Sequence, residues 1–405
     1  MIGPTLALLV SAGPLAFPAL SADPSGPVQT GAPQDGKPYK SPPRDPLDFR
    51  GPGREDPEPD VPEVVLGWFG PGDPDHPEFG GFWRGASLAL EEENAVGGYR
   101  GKPFRLVPAW SESPWKAGIA DVARLVQERG AWAVIGGVDG TTTHLAVQIA
   151  LKNHFLLLSP GSTDASADHA NVPWLFSLLP SDERIAPALA DAIGLNAAGG
   201  PVAIVASTDH DSHAMLVALR RALGERRLTP ATLVEMAPLE EDLPAIAGRL
   251  QHDGPRVLVV LAPSTLAGRL VSAIRASGYR GVIVGGAPAA RSAFRRAAGA
   301  AAEGVIAPLL AEPGPAGEDL SRVYERRWGE APDDAAAHGY DAVRLVAAAV
   351  RHAGLNRARI RDAVRALAPW QGASGPVDWN PHGRNARLAR VGVWRGGRFS
   401  PSPHP

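Results

Sequence analysis

Polar side chains able to grip a small ligand gather in four short stretches of this sequence. VDGTTT (138–143) and SPGST (159–163) each close a short apolar run with hydroxyls. STDHDSHA (207–214) brings together Asp209, His210, Asp211 and His213, and GDPDHPEF (72–79) carries Asp73, Asp75, His76 and Glu78. Hydroxyls and free amides at a helix amino end form a natural site for a carboxylate or another acceptor. The same hydroxyls also cap helices, and the two roles can coexist. Carboxylates and imidazoles facing one another could hold a cation, a metal chelate, or a cationic or hydroxylated ligand. Their spacing here matches no metal motif, and a solvated acidic turn is the plainer reading. The sequence therefore assigns no metal ligand and no cofactor.

Catalytic patterns are missing. There is no Gly-x-Ser-x-Gly elbow, no phosphate loop and no His-Glu-x-x-His, and GYRGKP lacks the Ser or Thr of a Walker loop. Ser162 with a distant His and Asp would form a triad only by coincidence. With no cysteine there are no disulfides, thiol nucleophiles or Cys-bound metals. A net charge of −3 gives no sign of a nucleic-acid or basic membrane-surface binder. These exclusions favour binding over catalysis.

The 405 residues, 44% of them apolar, are enough for two or three domains or for one protein of two interrupted lobes. An apolar run over 5–20, followed by Ser21 and Ala22, reads as an export signal over 1–22. It lacks a preceding Lys or Arg, is broken by Pro14 and Pro18, and is too short to span a membrane. With no cysteine for lipid attachment, the exported product is expected to be soluble and periplasmic. Residues 23–62, rich in Pro, Gly and charge, are expected to form a disordered linker.

The elements that must position the polar stretches follow a βα rhythm. From Glu63 onward the pattern predicts strand VVLGW, helix 82–94, strand 104–109, helix 115–129, strand 133–136, helix 142–153 and strand 155–159. After Pro180 the rhythm resumes with helix 183–195, strand 202–206, helix 212–225, strand 231–236, helix 241–252, strand 257–261, helix 265–277 and strand 282–285. Helices 318–328, 334–353 and 357–367 follow, and the tail reads as two β-segments turned by Asn-Pro-His-Gly. Such alternation predicts an α/β protein of two Rossmann-like lobes, parallel sheets flanked by helices, with ligand loops at the carboxyl ends of the strands.

GASLALEEENAVGGYRGKPFRLV, VARLVQERGAWAVIGGVDGTTTHLA, LLLSPGSTD, GYDAVRLVAAAVRHAG and the QGASGPVDWNPHG tail occur in an order that resembles the type I periplasmic binding proteins. Within these, the chain is most similar to the branched-chain amino-acid-binding receptors of ABC importers. The resemblance covers about residues 63–400. It implies a hinged clamshell: 63–180 with 309–372 as the first lobe, 181–308 with 373–400 as the second, and crossings near Pro180, Pro308 and Gly372. It also implies a small-molecule ligand in the cleft, membrane permease subunits as partners, and a monomer.

At the cleft, Trp68 and Phe79 could wall a ligand, with core packing as the alternative. The resemblance places a ligand carboxylate on Gly140, Thr141, Ser162 and Thr163. In the second lobe, Asp211 falls where the family has an aromatic residue, and Ser264 near another. The family's acidic partner for an ammonium should lie near Gly286 and Ala287, where no carboxylate stands. Asp139 could replace it from the other lobe, and His210 joins the candidates. The expected ligand is a small polar or carboxylate-bearing molecule other than an ordinary branched-chain amino acid. A sensing or auxiliary binding protein without a transporter is the alternative.

Overall fold

The computed structural model describes residues 47–49, 53–240 and 242–402. The expected signal segment and the linker up to residue 46 lie outside the described residues.

The first lobe opens with β1 (Val64–Phe69), α1 (Gly80–Ala95), β2 (Phe104–Ala109), α2 (Pro114–Gln127), β3 (Ala133–Gly136), α3 (Gly140–Asn153), β4 (Leu156–Ser159) and β5 (Leu175–Ser177). The second runs α4 (Asp182–Ala197), β6 (Val202–Ser207), α5 (His210–Glu225), β7 (Thr232–Met236), α6 (Leu243–Asp253), β8 (Val257–Leu261), α7 (Ser264–Ala276), β9 (Val282–Gly285), α8 (Ser292–Ala298) and β10 (Ile306–Leu309). The chain then adds α9 (Pro315–Trp328), α10 (Asp334–Ala353), α11 (Arg357–Ala366), β11 (Trp370–Gly372), β12 (Gly375–Val377), β13 (Arg390–Arg395) and β14 (Arg398–Pro401).

Alternation along the strands explains why helices cover both sheet faces. In β1, Val64, Leu66 and Trp68 join one core, and Val65 and Phe69 join the core on the opposite face. In β8, Leu258 and Val260 point one way, and Val257, Val259 and Leu261 the other. A strand buried on both faces must be apolar throughout, as these are. The first sheet is parallel, with order β2-β1-β3-β4-β5. The second has order β14-β13-β10-β9-β8-β6-β7, parallel from β7 to β10 and antiparallel at β13 and β14. In both, the strand order reverses beside the lobe's first strand, between β1 and β3 and between β6 and β8. Crevices at such reversals receive ligands.

Three expectations need revision. The described end of the Pro-rich segment is packed: Leu47 is buried, the Asn356 amide donates to the Gly53 carbonyl at 2.7 Å, and the Tyr99 hydroxyl donates to Glu58 at 2.6 Å. Its few apolar and acidic groups gain partners that only the folded lobe supplies. The third passage between the lobes comes later than Gly372, because β11 and β12 form their own hairpin and Val377 belongs to the first lobe's core. The chain enters the second sheet at Arg390. Asn-Pro-His-Gly turns only the isolated bridge Trp379–Asn385, whereas the tail's sheet hairpin, β13–β14, turns at Gly396 and Gly397.

Candidate functional site

Loops from both strand-order reversals line one cavity of about 180 Å³. The first lobe contributes Phe79 after β1, Val138, Asp139 and Thr141 around the start of α3, and Gly161 and Thr163 after β4. The second contributes Asp209, His210 and Asp211 at the start of α5, Pro263 before α7, Gly286 and Ala287 after β9, and Arg291. That volume suits one small molecule rather than a peptide.

Local sequence chemistry fixes the first-lobe wall. Asp139 caps α3, accepting from the Thr142 amide at 2.7 Å, and the Thr143 hydroxyl donates to the Asp139 carbonyl at 2.7 Å. Thr143 also meets the Ser159 hydroxyl, which donates to the Gly137 carbonyl. Two of the three threonines in VDGTTT thus hold the loop, and Thr141 is left to line the cavity. Capping and ligand-facing roles are divided among neighbours.

Several contacts join the lobes beside the cavity. The Gly140 amide, at the start of α3, donates to Asp211 Oδ1 at 2.7 Å. Glu78 accepts from the Ser264 and Thr265 amides at the start of α7, at 2.6 and 3.0 Å. His210 Nε2 meets Asp164 Oδ2 at 2.7 Å, and the Ser292 amide donates to Asp333 at 2.8 Å. Anions at helix amino ends are favoured by free amides and by the helix dipole. At Gly140 a Cβ would lie 2.7 Å from Asp211 Oδ1 and 2.9 Å from the Asp164 Cβ, so only glycine allows this approach.

The walls carry five carboxyl groups, Glu78, Asp139, Asp182, Asp209 and Asp211, against Arg291 and His210. Burial pushes the Asp182 carboxyl up to about 7, with Thr163 opposing, and neither of its oxygens makes a full hydrogen bond. Burial likewise raises Asp139 against the pull of Thr142. Asp211 rises well above the ordinary carboxylate range through burial and the nearby Asp139, which outweigh the Gly140 amide. Asp209 Oδ2 is buried without a partner. The hydrogen bond to Asp164 raises His210. Arg291 is buried, its Nε in an ion pair with the buried Asp334 at 3.8 Å and its guanidinium over the Phe82 ring at 5.1 Å.

Phe79, Asp139, Thr141, Thr163, His210 and Asp211 come together at the cavity. Trp68 does not. It lies fully buried in the first-lobe core, its indole N–H donating to the Pro71 carbonyl at 3.0 Å, because β1 turns alternate residues into that core. Ser162 is buried behind the wall formed by Gly161 and Thr163, and its carbonyl accepts from Arg384. Gly140 and Ser264 stand at the lobe contact, with their amides already engaged by Asp211 and Glu78. The proposed opposition of the two acidic turns also changes. Asp75 pairs with Arg84, His76 stacks on Phe79, and of that turn's acids Glu78 reaches the second lobe. Sequence reading missed Asp182, which the helix start after Pro180 could have signalled. It also missed Arg291, one arginine among many until packing singles it out.

The sequence profile of the periplasmic binding protein family matches residues 72–398. The chain belongs to this family. It is 25% identical over 326 residues to an amino acid binding protein of Pseudomonas aeruginosa, covering 79% of this chain and 87% of that one. In fold it is similar to LivJ of Streptococcus pneumoniae, solved in complex with isoleucine: TM-score 0.76, 20% identity, 83% of this chain and 97% of that one. A solute binding protein of R. palustris in complex with benzoate gives 0.74, 17%, 84% and 95%. One from Rhodopseudomonas palustris BisB5, in complex with 3,4-dihydroxy benzoic acid, gives 0.72, 14%, 84% and 95%. The fold is that of the periplasmic binding protein clamshell, and the family's members are binding proteins rather than enzymes. Among the described residues no helix is long and apolar enough to cross a membrane.

Proposed function

We propose that this periplasmic binding protein is the soluble extracytoplasmic receptor of an ABC importer, acting as a monomer, and that its ligand is a small molecule with a cationic nitrogen and no free carboxylate. One observation carries the choice of ligand. The two helix amino ends beside the cavity, at α3 and α7, already hold carboxylates of the protein itself, Asp211 and Glu78. A ligand carboxylate would have to displace Asp211 from the Gly140 amide and enter a cavity with five carboxyl walls. A cation instead relieves their crowding, since an opposite charge nearby favours the ionised form. The absence of an acid near Gly286 and Ala287 no longer counts against ammonium binding, because Asp182, Asp209 and Asp211 supply acids from α4 and α5. Phe79 and Met215 offer apolar wall for a hydrocarbon portion.

Ligand-induced thermal stabilisation tests the proposal, because a molecule bound only by the folded protein raises its melting temperature. Small aliphatic and aromatic amines are expected to shift it most, and Asp211→Ala to weaken the best of them at least tenfold. Leucine, isoleucine or benzoate matching the best amine would overturn the choice. For transport, cross-linking in the host is expected to recover membrane permease subunits; recovery of soluble partners alone would favour a sensor.

A further inference from the structure

His144, Asp164 and His210 lie beside the cavity, and nothing in the ligand reading uses them together. His144 Nε2 and His210 Nε2 each stand 2.7 Å from the same atom, Asp164 Oδ2. The three ligand atoms lie within 4.8 Å of one another. The rings meet edge to face at 5.3 Å and 88°, so both nitrogens aim at one point rather than stacking past it. The other carboxylate oxygen, Asp164 Oδ1, accepts from the Ser166 amide at 2.8 Å, which fixes the carboxylate's orientation.

We propose that these three side chains form a site for a zinc-type divalent transition metal, assembled only when the lobes close. His144 comes from α3 and Asp164 from the loop after β4, both in the first lobe; His210 opens α5 in the second. Two imidazoles and one carboxylate form a donor set suited to zinc, with a fourth position left for water, once the Nε2 protons now shared with Asp164 pass to Nδ1 or to solvent. Tetrahedral zinc with ligands at about 2.0–2.1 Å separates them by about 3.3 Å. The two nitrogens would therefore move back from Asp164 Oδ2 by a few tenths of an ångström each, keeping their aim. Asp182, which the ligand reading also uses, faces the same side of the cluster. It is 2% exposed, neither oxygen makes a full hydrogen bond, and it lines a neighbouring cavity of about 500 Å³ together with Asp164 and His210. That cavity gives the metal a route in, and His169 and His213 on its walls are alternative ligands that the test must separate.

Because no single lobe holds all three donors, the metal binds the closed state more tightly and shifts the population toward it. His210 and Asp182 also line the ligand cavity, so the metal site is tested with the metal alone. Metal-free protein titrated with Co²⁺ is expected to bind one ion with the visible absorption of a four-coordinate centre, and Zn²⁺ to displace it. His144→Ala and His210→Ala, verified as folded by circular dichroism, should each weaken Co²⁺ binding at least tenfold. The His169→Ala/His213→Ala double variant should leave it within about twofold. Small-angle scattering should show Zn²⁺ compacting the wild type without amine. No Co²⁺ absorption, absorption that survives both His144→Ala and His210→Ala, or loss confined to the His169/His213 variant would overturn the assignment.

Discussion

Asp182 shows how one side chain can report on the ligand. Burial pushes its carboxyl up to about 7, with Thr163 opposing. A bound cation favours the carboxylate, so binding expels a proton wherever Asp182 is still protonated. Affinity for an amine should therefore climb as pH rises toward 7, with the raised Asp139 and Asp211 carboxyls adding to the climb. Calorimetry at pH 6.5 in buffers of different ionisation heat is expected to show proton release, reduced in Asp182→Asn. Proton uptake would contradict the assignment. Little of this was legible in the chain: Asp182 looks like an ordinary acid in a first helical turn until α5 and the β4 loop enclose it. Thr141 entered through the family resemblance and Asp139 as a substitute partner for an ammonium; the structure sets both on the cavity wall. Trp68 stayed open between cavity wall and core because an aromatic residue near a strand end reads the same in either place; packing puts it in the core.

Helix packing decides how firmly those side chains are held. α1 carries Phe82, whose ring lies under Arg291, and packs against α10 at Gly85 and Gly339. A Cβ on Gly85 would land on the Ala336 carbonyl, and one on Gly339 on the Phe82 carbonyl. Gly85→Ala or Gly339→Ala is expected to cost about 1–3 kcal/mol, as overpacking does, read from the urea midpoint. The two should sum to less than their separate losses, because each forces the same helices apart. An unchanged midpoint in both would show that the helices separate freely. At this scale the sequence was most informative: long βα alternation places nearly every helix and strand. β5 escaped because three residues, Leu175–Ser177, carry too little periodicity, and they pair only because β4 presents an edge.

Closure belongs to the molecule as a whole. Glu78 bridges from the first lobe to two amides of the second and makes a charge-assisted contact that exists only when the lobes meet. Hydrogen bonds to a charged group contribute about 1.5–3 kcal/mol. Glu78→Ala should shift the unliganded protein toward open forms and weaken ligand binding about 10- to 100-fold by lowering the competent population. Scattering should give a larger radius of gyration without ligand and a normal one at saturation. An unchanged radius and affinity would mean that Glu78 merely decorates the interface.

The sequence by itself determined the two-lobed α/β architecture, the family, and the hydroxyl-rich wall of the cavity. The architecture rests on periodic burial, the wall on caps made within a few residues of each other, and the family on the resemblance of several sequence words in their order. Only the tertiary structure decided that Asp211 and Glu78 occupy the helix ends expected to hold a ligand carboxylate. Only it brought His144, Asp164 and His210 to one point. Such contacts join residues far apart in the chain, and their energies depend on burial and distance, which no local pattern encodes.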